Sequence, residues 1–409
     1  MGPISGLRVV EVGDLGEVAG KLLADAGAEV IKVEPIGGAR SRFTGPYAAD
    51  RFGPNSSLFF AYWNTNKRGV TLDLWDADAA ALWRGLIQGA DVVIDAVSPG
   101  ELDDLGLGYD AFADQERLIW CSITPFGTEG PWRDFAVNDL VQVALGGPMM
   151  STGYDDHELP PIRPEGGHSL AMAGEYAVTA ILTAIWQRED TGRGQFLDVS
   201  IHEAVSCTTE GAFQNWEYHQ RISQRQTGRH ANPTVPTPEW QLQCADGDYV
   251  CLMGAGFPRD ERVWSALMAW MDESGANHEI RDLFTSRGAR SLEDRQLILT
   301  TIHSFVKSQP AEEVYRRGQA CHLPWGYVRR PEQNLDDPHW HDRGFFVEGD
   351  LPGGDGRVLY PGAPYMFSET PLEFRRRAPL LGEHNFEVYS KEMGVSSEQI
   401  LALAQREVI

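Results

Sequence analysis

Four groups of residues have types and spacings that bear on chemistry. Gly13, Gly16 and Gly20 follow an apolar stretch, and Glu34 closes the next one. A dinucleotide site wants GxGxxG at such a turn, so that backbone can approach a pyrophosphate, and an acid after the second strand for a ribose hydroxyl. Glu34 stands in the acid's place, but the glycine spacing is wrong, which favours a tight, close-packed turn. Asn64-Thr-Asn-Lys-Arg-Gly69 sets two adjacent cations among amides just before a short apolar run. That group suits a phosphate or, equally, a solvated turn. His339-Trp-His341 and Cys321-His322 lack the further ligands of a tetrahedral site, so no metal is expected. GxSxG is absent, which argues against a nucleophile elbow.

These groups need elements to hold them. Leu7–Val12, Glu29–Val33, Gly69–Leu72, Val92–Ile94 and Leu118–Ile123 read as strands. Helical patterns fall between them at Val18–Ala26 and Asp78–Gln88. Repeated βα units imply right-handed crossovers and a mostly parallel, doubly wound sheet. Ser169–Arg188 is helical, with Leu170, Ala173, Gly174, Ala177, Ile181 and Ile185 on one face, and Phe196–Ser200 is a further strand. Pro233, Pro236 and Pro238 mark a change of texture. Beyond them come a hairpin around Asp246-Gly247 and helices near 261–271, 292–306 and 311–318. The expected fold class is α/β: a large Rossmann-like domain over 1–224, a small α+β domain over 225–325, and a C-terminal segment over 326–409.

The 409 residues carry 35 Lys and Arg against 59 Asp and Glu, a formal charge of −24. Nucleic acid and anionic membranes, which need basic surfaces, are therefore not expected partners. No apolar run approaches ~18 residues, so no membrane-spanning helix is expected. The start of the chain lacks the pattern of a signal peptide, and the 5 cysteines form no CxxC pair. Reduced thiols in a cytoplasmic protein are the expectation.

Taken in order, several segments resemble the family III CoA-transferases. They are SGLRVVEVGDLG with ADAGAEVIKVEP, then WNTNKRGVTLDL, ITPFGTEGPW, NDLVQVALGG, REDTGRGQFLDVSIHEA and PLLGEHNFEV. The resemblance covers nearly the whole chain. It implies a large Rossmann-like domain, a small domain, a tail returning to the large domain, and two chains interlinked like rings. It also implies transfer of CoA from an acyl thioester to a carboxylate. In that reaction an aspartate attacks the thioester, giving a mixed anhydride and then an enzyme–CoA thioester. A carboxylate suits both steps because it is nucleophile and leaving group in turn.

The sequence departs from the pattern where that chemistry sits. Counting back from TGRGQ, the family glycine is Gly174 and the nucleophile position is Leu170, which cannot attack a thioester. Asp155 and Asp156, in the preceding loop, are the alternative nucleophiles. Positions implied to hold CoA include Asn64, Lys67, Arg68 and Leu72. Others are eroded: Pro35 and Trp75 replace basic residues, Ala96 replaces an asparagine, and Asp104 replaces an arginine that would meet a phosphate. Gly16-Glu17 replaces an opening Gly-Pro, and residues 232–238 replace a glycine-rich lid. Related racemases use a histidine where Asn138 stands, beside Asp139. The expectation is a supporting subunit of a heteromeric family III CoA-transferase, without tightly bound cofactor. A paralogous partner would supply the aspartate and bind the CoA thioester. Succinyl-CoA and a carboxylate such as benzylsuccinate are the implied substrates. An autonomous homodimeric transferase and a non-enzymatic acyl-CoA-binding protein are the alternatives.

Overall fold

A computed structural model describes the chain except for residues 165–166, 210, 228, 233–238, 253–259, 277–278, 286–287, 290 and 355. Pro233, Pro236 and Pro238, expected to mark a boundary, lie outside the described residues, as does most of the segment replacing the lid. Six strands, β1 (Arg8–Val12), β2 (Glu29–Glu34), β3 (Arg68–Thr71), β4 (Val92–Asp95), β5 (Ile119–Thr124) and β6 (Phe196–Ser200), form one sheet in the order β3-β2-β1-β4-β5-β6. Every pairing in it is parallel. Successive side chains point to opposite faces, and both faces are covered.

The intervening helices are α1 (Glu17–Asp25), α2 (Leu58–Trp63), α3 (Ala79–Gln88), α4 (Glu101–Asp104), α5 (Asp139–Leu145), α6 (His168–Thr191) and α7 (Ile201–Ser206). On one face Val9, Val30, Val92 and Ile119 meet Leu23 of α1, Ala177 and Ile181 of α6 and Val205 of α7. On the other, Val10, Ile31, Val93 and Trp120 meet Trp83 and Leu86 of α3 together with Val388, Tyr389 and Val408 of the tail. The doubly wound sheet expected from the sequence is present.

Two features differ from expectation. Helix α5, inside NDLVQVALGG, was read as a motif without an element; Asn138 starts it by accepting a hydrogen bond from the Val141 amide at 3.0 Å. Helix α6 is longer than expected, ending only where Gly192 takes the left-handed φ of +73°. By length and composition α6 is apolar enough to cross a membrane, which corrects the expectation that no segment is. It spans 24 residues with a mean hydropathy of 1.3, and about 33% of its most apolar stretch is buried. Alanines with spaced leucine, isoleucine, valine and methionine make it so, with threonines and a glutamate breaking the run.

Contacts divide the chain into two units. The first comprises Met1–Met149, Arg163–Glu210 and His339–Ile409, and the second Met150–Ile162 and Gly211–Pro338. The second begins before 225, ends after 325, and includes a piece of the loop ahead of α6. Arg225 explains that inclusion: its guanidinium is buried and donates to the carbonyls of His157 and Leu159, each at 2.8 Å. The second unit starts with α8 (Ala212–His219) and the pair β7 (Gln224–Gln226) and β8 (Arg229–Asn232). Its antiparallel sheet joins β9 (Gln241–Gln243), β10 (Tyr249–Leu252) and the strand Trp325–Val328. The expected helices stand at Glu261–Glu273, Leu292–Lys307 and Ala311–Ala320. Trp264, Leu267, Ile302 and Trp325 fill its core.

Candidate functional site

Ligands of open α/β sheets sit beyond the carboxyl ends of the strands, where strand order reverses. Here that point lies between β1 and β4. Gly13 takes a φ of +85°, and a Cβ there would lie 2.2 Å from the Ala96 carbonyl oxygen. A Cβ on Gly16 would meet Ile94 Cγ2 at 2.6 Å. The glycines therefore let the two chain segments touch each other, in keeping with the close-packed turn. Glu34 is buried and held by Arg42, with Nε and Nη2 at 2.6 and 2.7 Å from its two oxygens. It has no free oxygen to offer a ribose.

The Asn-Lys-Arg motif is a load on the fold rather than a surface. Asn64 and Lys67 are fully buried, and Arg68 and Leu72 nearly so. Lys67 Nζ lies 2.8 Å from Glu11 Oε2 and donates to the Glu17 carbonyl and to Asn64 Oδ1, both at 2.9 Å. Lys32 Nζ lies 2.9 Å from both Glu11 and Glu17. Arg68 is surrounded by Glu29, Glu387 and Glu392. Of the four positions that the resemblance implies for CoA, Asn64, Lys67 and Arg68 thus direct their polar side-chain groups at protein partners, and the Leu72 side chain lies in the core.

Burial opposes charge throughout this cluster. At Glu11 the two lysines overcome it and hold the carboxyl below its ordinary range. At Lys32 the carboxylates of Glu11 and Glu17 overcome it and raise the amine. Burial prevails at Lys67, whose amine is lowered. A helix N-terminus favours anions, and that of α1 already carries Glu17, which also accepts from Ser41 Oγ at 2.6 Å. Gly20 is required here, because a Cβ would lie 1.7 Å from Glu11 Oε2.

The positions where the resemblance implies CoA contacts that this sequence replaces lie as follows. Pro35 and Asp104 are exposed, and Trp75 is 68% exposed. Ala96 is buried, and α4 gathers Glu101, Asp103 and Asp104 in its single turn. Asp95 ends β4; burial pushes its carboxyl up to about 6, partly offset by the Trp120 indole N–H, which donates at 3.2 Å. The sequence reading passed over Arg133, whose Nη2 donates to the Pro99 carbonyl at 2.8 Å beside Gly100. No spacing rule pointed to it, because it comes from the loop after β5.

Leu170 lies in the first turn of α6 and packs against the core beneath it. Gly174, one turn on, marks a close crossing: a Cβ there would meet Val18 Cγ1 of α1 at 2.4 Å. Asp139 reaches this end of α6 from α5. Its Oδ1 accepts from the Ser169 amide at 3.0 Å and the Ser169 hydroxyl at 2.7 Å, and Oδ2 lies 2.9 Å from Arg163 Nη2. It thus stands in for the missing side-chain cap of a helix that Gly167 begins. Asp155 and Asp156 belong to the second unit and serve turns there: Asp155 exchanges hydrogen bonds with Thr227, and Asp156 accepts from the Glu158 amide. No group of three or more potential metal ligands occurs among the described residues.

Comparisons with known proteins fit this architecture. The sequence model for CoA-transferase family III matches residues 4–385. Subunit BbsE of succinyl-CoA:(R)-benzylsuccinate CoA-transferase from Thauera aromatica is 32% identical over 94% of this chain and 93% of its own. Succinate–glutarate CoA-transferase from Agrobacterium fabrum is also 32% identical, over 95% of each chain. A crystal structure of a CAIB/BAIF family protein from Brucella suis superposes with a TM-score of 0.78 at 27% identity, over 95% of this chain and 99% of that one. The chain belongs to CoA-transferase family III.

Proposed function

We propose, taking family membership as the premise, that this chain is the supporting subunit of a heteromeric family III CoA-transferase. A paralogous partner, interlinked with it, supplies the nucleophilic aspartate and the main CoA site. The reaction moves CoA from succinyl-CoA or a similar acyl-CoA to a carboxylate of the benzylsuccinate type. The printed name of the Thauera relative, a subunit of such an enzyme, supports that substrate class.

One observation carries the reading. The first turn of α6 presents Leu170, and the carboxylate that does reach that turn, Asp139, is already held by Ser169 and Arg163. A carboxylate so held is spent on the fold, whereas thioester attack needs a free lone pair. Erosion at Pro35, Trp75, Ala96 and Asp104 runs the same way, since a CoA phosphate gains nothing from an acidic or apolar lining. The need for a second chain is supported by α6 itself. Leu182 and Trp186 stand one turn apart on it at 41% and 78% exposure, a spacing suited to packing against another helix.

The test is turnover by the isolated chain with succinyl-CoA and benzylsuccinate, before and after the partner is added. The expected result is no transfer alone and ordinary turnover on addition. Transfer by the isolated chain, together with a hydroxylamine-sensitive adduct on Asp155 or Asp156, would replace this reading with the autonomous one.

A further inference from the structure

The segment from His339 to Leu372, within the first unit, lines an open cavity of about 600 Å³. Its volume falls in the range of small-molecule sites. One wall is Trp340 against Phe345, ring centroids 4.7 Å apart. Another is Tyr365 edge-on to Phe367, 5.7 Å apart at 89°. Leu372 closes the apolar lining, and Arg343 stands at the same cavity. No carboxylate among the described residues pairs with Arg343, although the chain carries a formal charge of −24 and its other arginines are mostly engaged.

From this juxtaposition we infer a binding site for an aromatic carboxylate, its ring between the two aromatic pairs and its carboxylate on the Arg343 guanidinium. Aromatic walls hold a ring by edge and offset contacts and give little to a saturated chain of equal length. A guanidinium fork matches a carboxylate with two parallel hydrogen bonds, and Arg343 is the arginine of the lining. A purely apolar molecule would gain nothing from the exposed Arg343 guanidinium, and a small aliphatic acid would leave the aromatic walls wet. The inference goes beyond the supporting-subunit reading, because binding here needs neither the nucleophile nor CoA. It gives the chain a ligand of its own.

Calorimetry on the purified assembly tests it, with benzylsuccinate as probe and succinate and toluene as controls. The expected result is one saturable site per copy of this chain that prefers benzylsuccinate. Arg343→Gln should weaken that site at least about tenfold, and Trp340→Leu by a similar factor. Circular dichroism and native mass of the variants should stay unchanged. Equal binding of succinate, or binding indifferent to both substitutions, would overturn the inference. So would release of the partner by Trp340→Leu, which would show the cavity to be filled by protein. Loss of the site in Arg343→Gln with turnover by the partner intact separates this inference from the transferase reading.

Discussion

The space beneath α1 and the first turn of α6 lie on the same face of one sheet, and they differ in what has been kept. Beneath α1, Glu11, Lys32 and Lys67 are fully buried and Glu17 nearly so, and every one has an opposite charge within 2.9 Å or is held by amides. Such a cluster survives only while all its members remain, because removing one strands the others in a medium that cannot solvate them. At α6, Leu170 stands where the resemblance places a catalytic carboxylate, and its alkyl chain simply joins the core. Charge beneath α1 is met by opposite charge, whereas the α6 position that the resemblance implies for the nucleophile holds an alkyl chain. That contrast is what a chain retained as a structural partner would show.

The comparison breaks first if the buried cluster is dispensable. Glu11→Gln or Lys67→Met should each cost about 3–5 kcal/mol in urea unfolding. A cost below about 1 kcal/mol would mean that the cluster is not the fold's keystone. Between the two regions stands Gly174, where an added methyl would press into Val18. Gly174→Ala should cost roughly 1–3 kcal/mol by overpacking the α1–α6 crossing, measured by the same unfolding curves.

Asp95 sharpens the contrast by its pH dependence. Its folded pKa, about 6, lies above the ordinary 3.8, so between those values the native state keeps a proton that the unfolded chain has released. Stability therefore falls as pH rises through that window and stays lower above it. Asp95→Asn should be more stable than the parent by about 1–3 kcal/mol at pH 7 and no different near pH 3.5. Equal stability at pH 7 would show the carboxylate to be adequately solvated.

The smallest effects are expected at Leu170 and in the loop ahead of α6. On the supporting-subunit reading, Leu170→Asp in the isolated chain should give no measurable CoA transfer, because that reading places the phosphate contacts in the partner as well. Turnover by that single variant would show the CoA site to be intact. Asp155→Ala with Asp156→Ala should leave the activity of the assembly unchanged and shift stability by no more than about 0.5 kcal/mol. A loss of activity would return the nucleophile to this chain.

The sheet was legible because buried parallel strands are mostly apolar runs separated by helical periods, as in Val92–Ile94 and, despite Arg8 and Glu11, in Leu7–Val12. The extent of α6 was less so, since its alanines and threonines give no strong amphipathic signal. At the candidate site, Leu170 could be placed by counting, because α6 runs without a break to Gly192. The fate of Lys67 and Arg68 could not. A sequence shows two adjacent cations but not the carboxylates that meet them, and those come from residues as distant as Glu11, Glu387 and Glu392. Asp139 was likewise invisible as the cap of α6, thirty residues away from the Ser169 it binds.

Native mass spectrometry of the untagged protein drawn from its own cells tests the supporting-subunit reading most directly. The predicted result is an assembly with equal copies of a second family III chain that carries an aspartate at the position matching Leu170. A homodimer that transfers CoA by itself would contradict it.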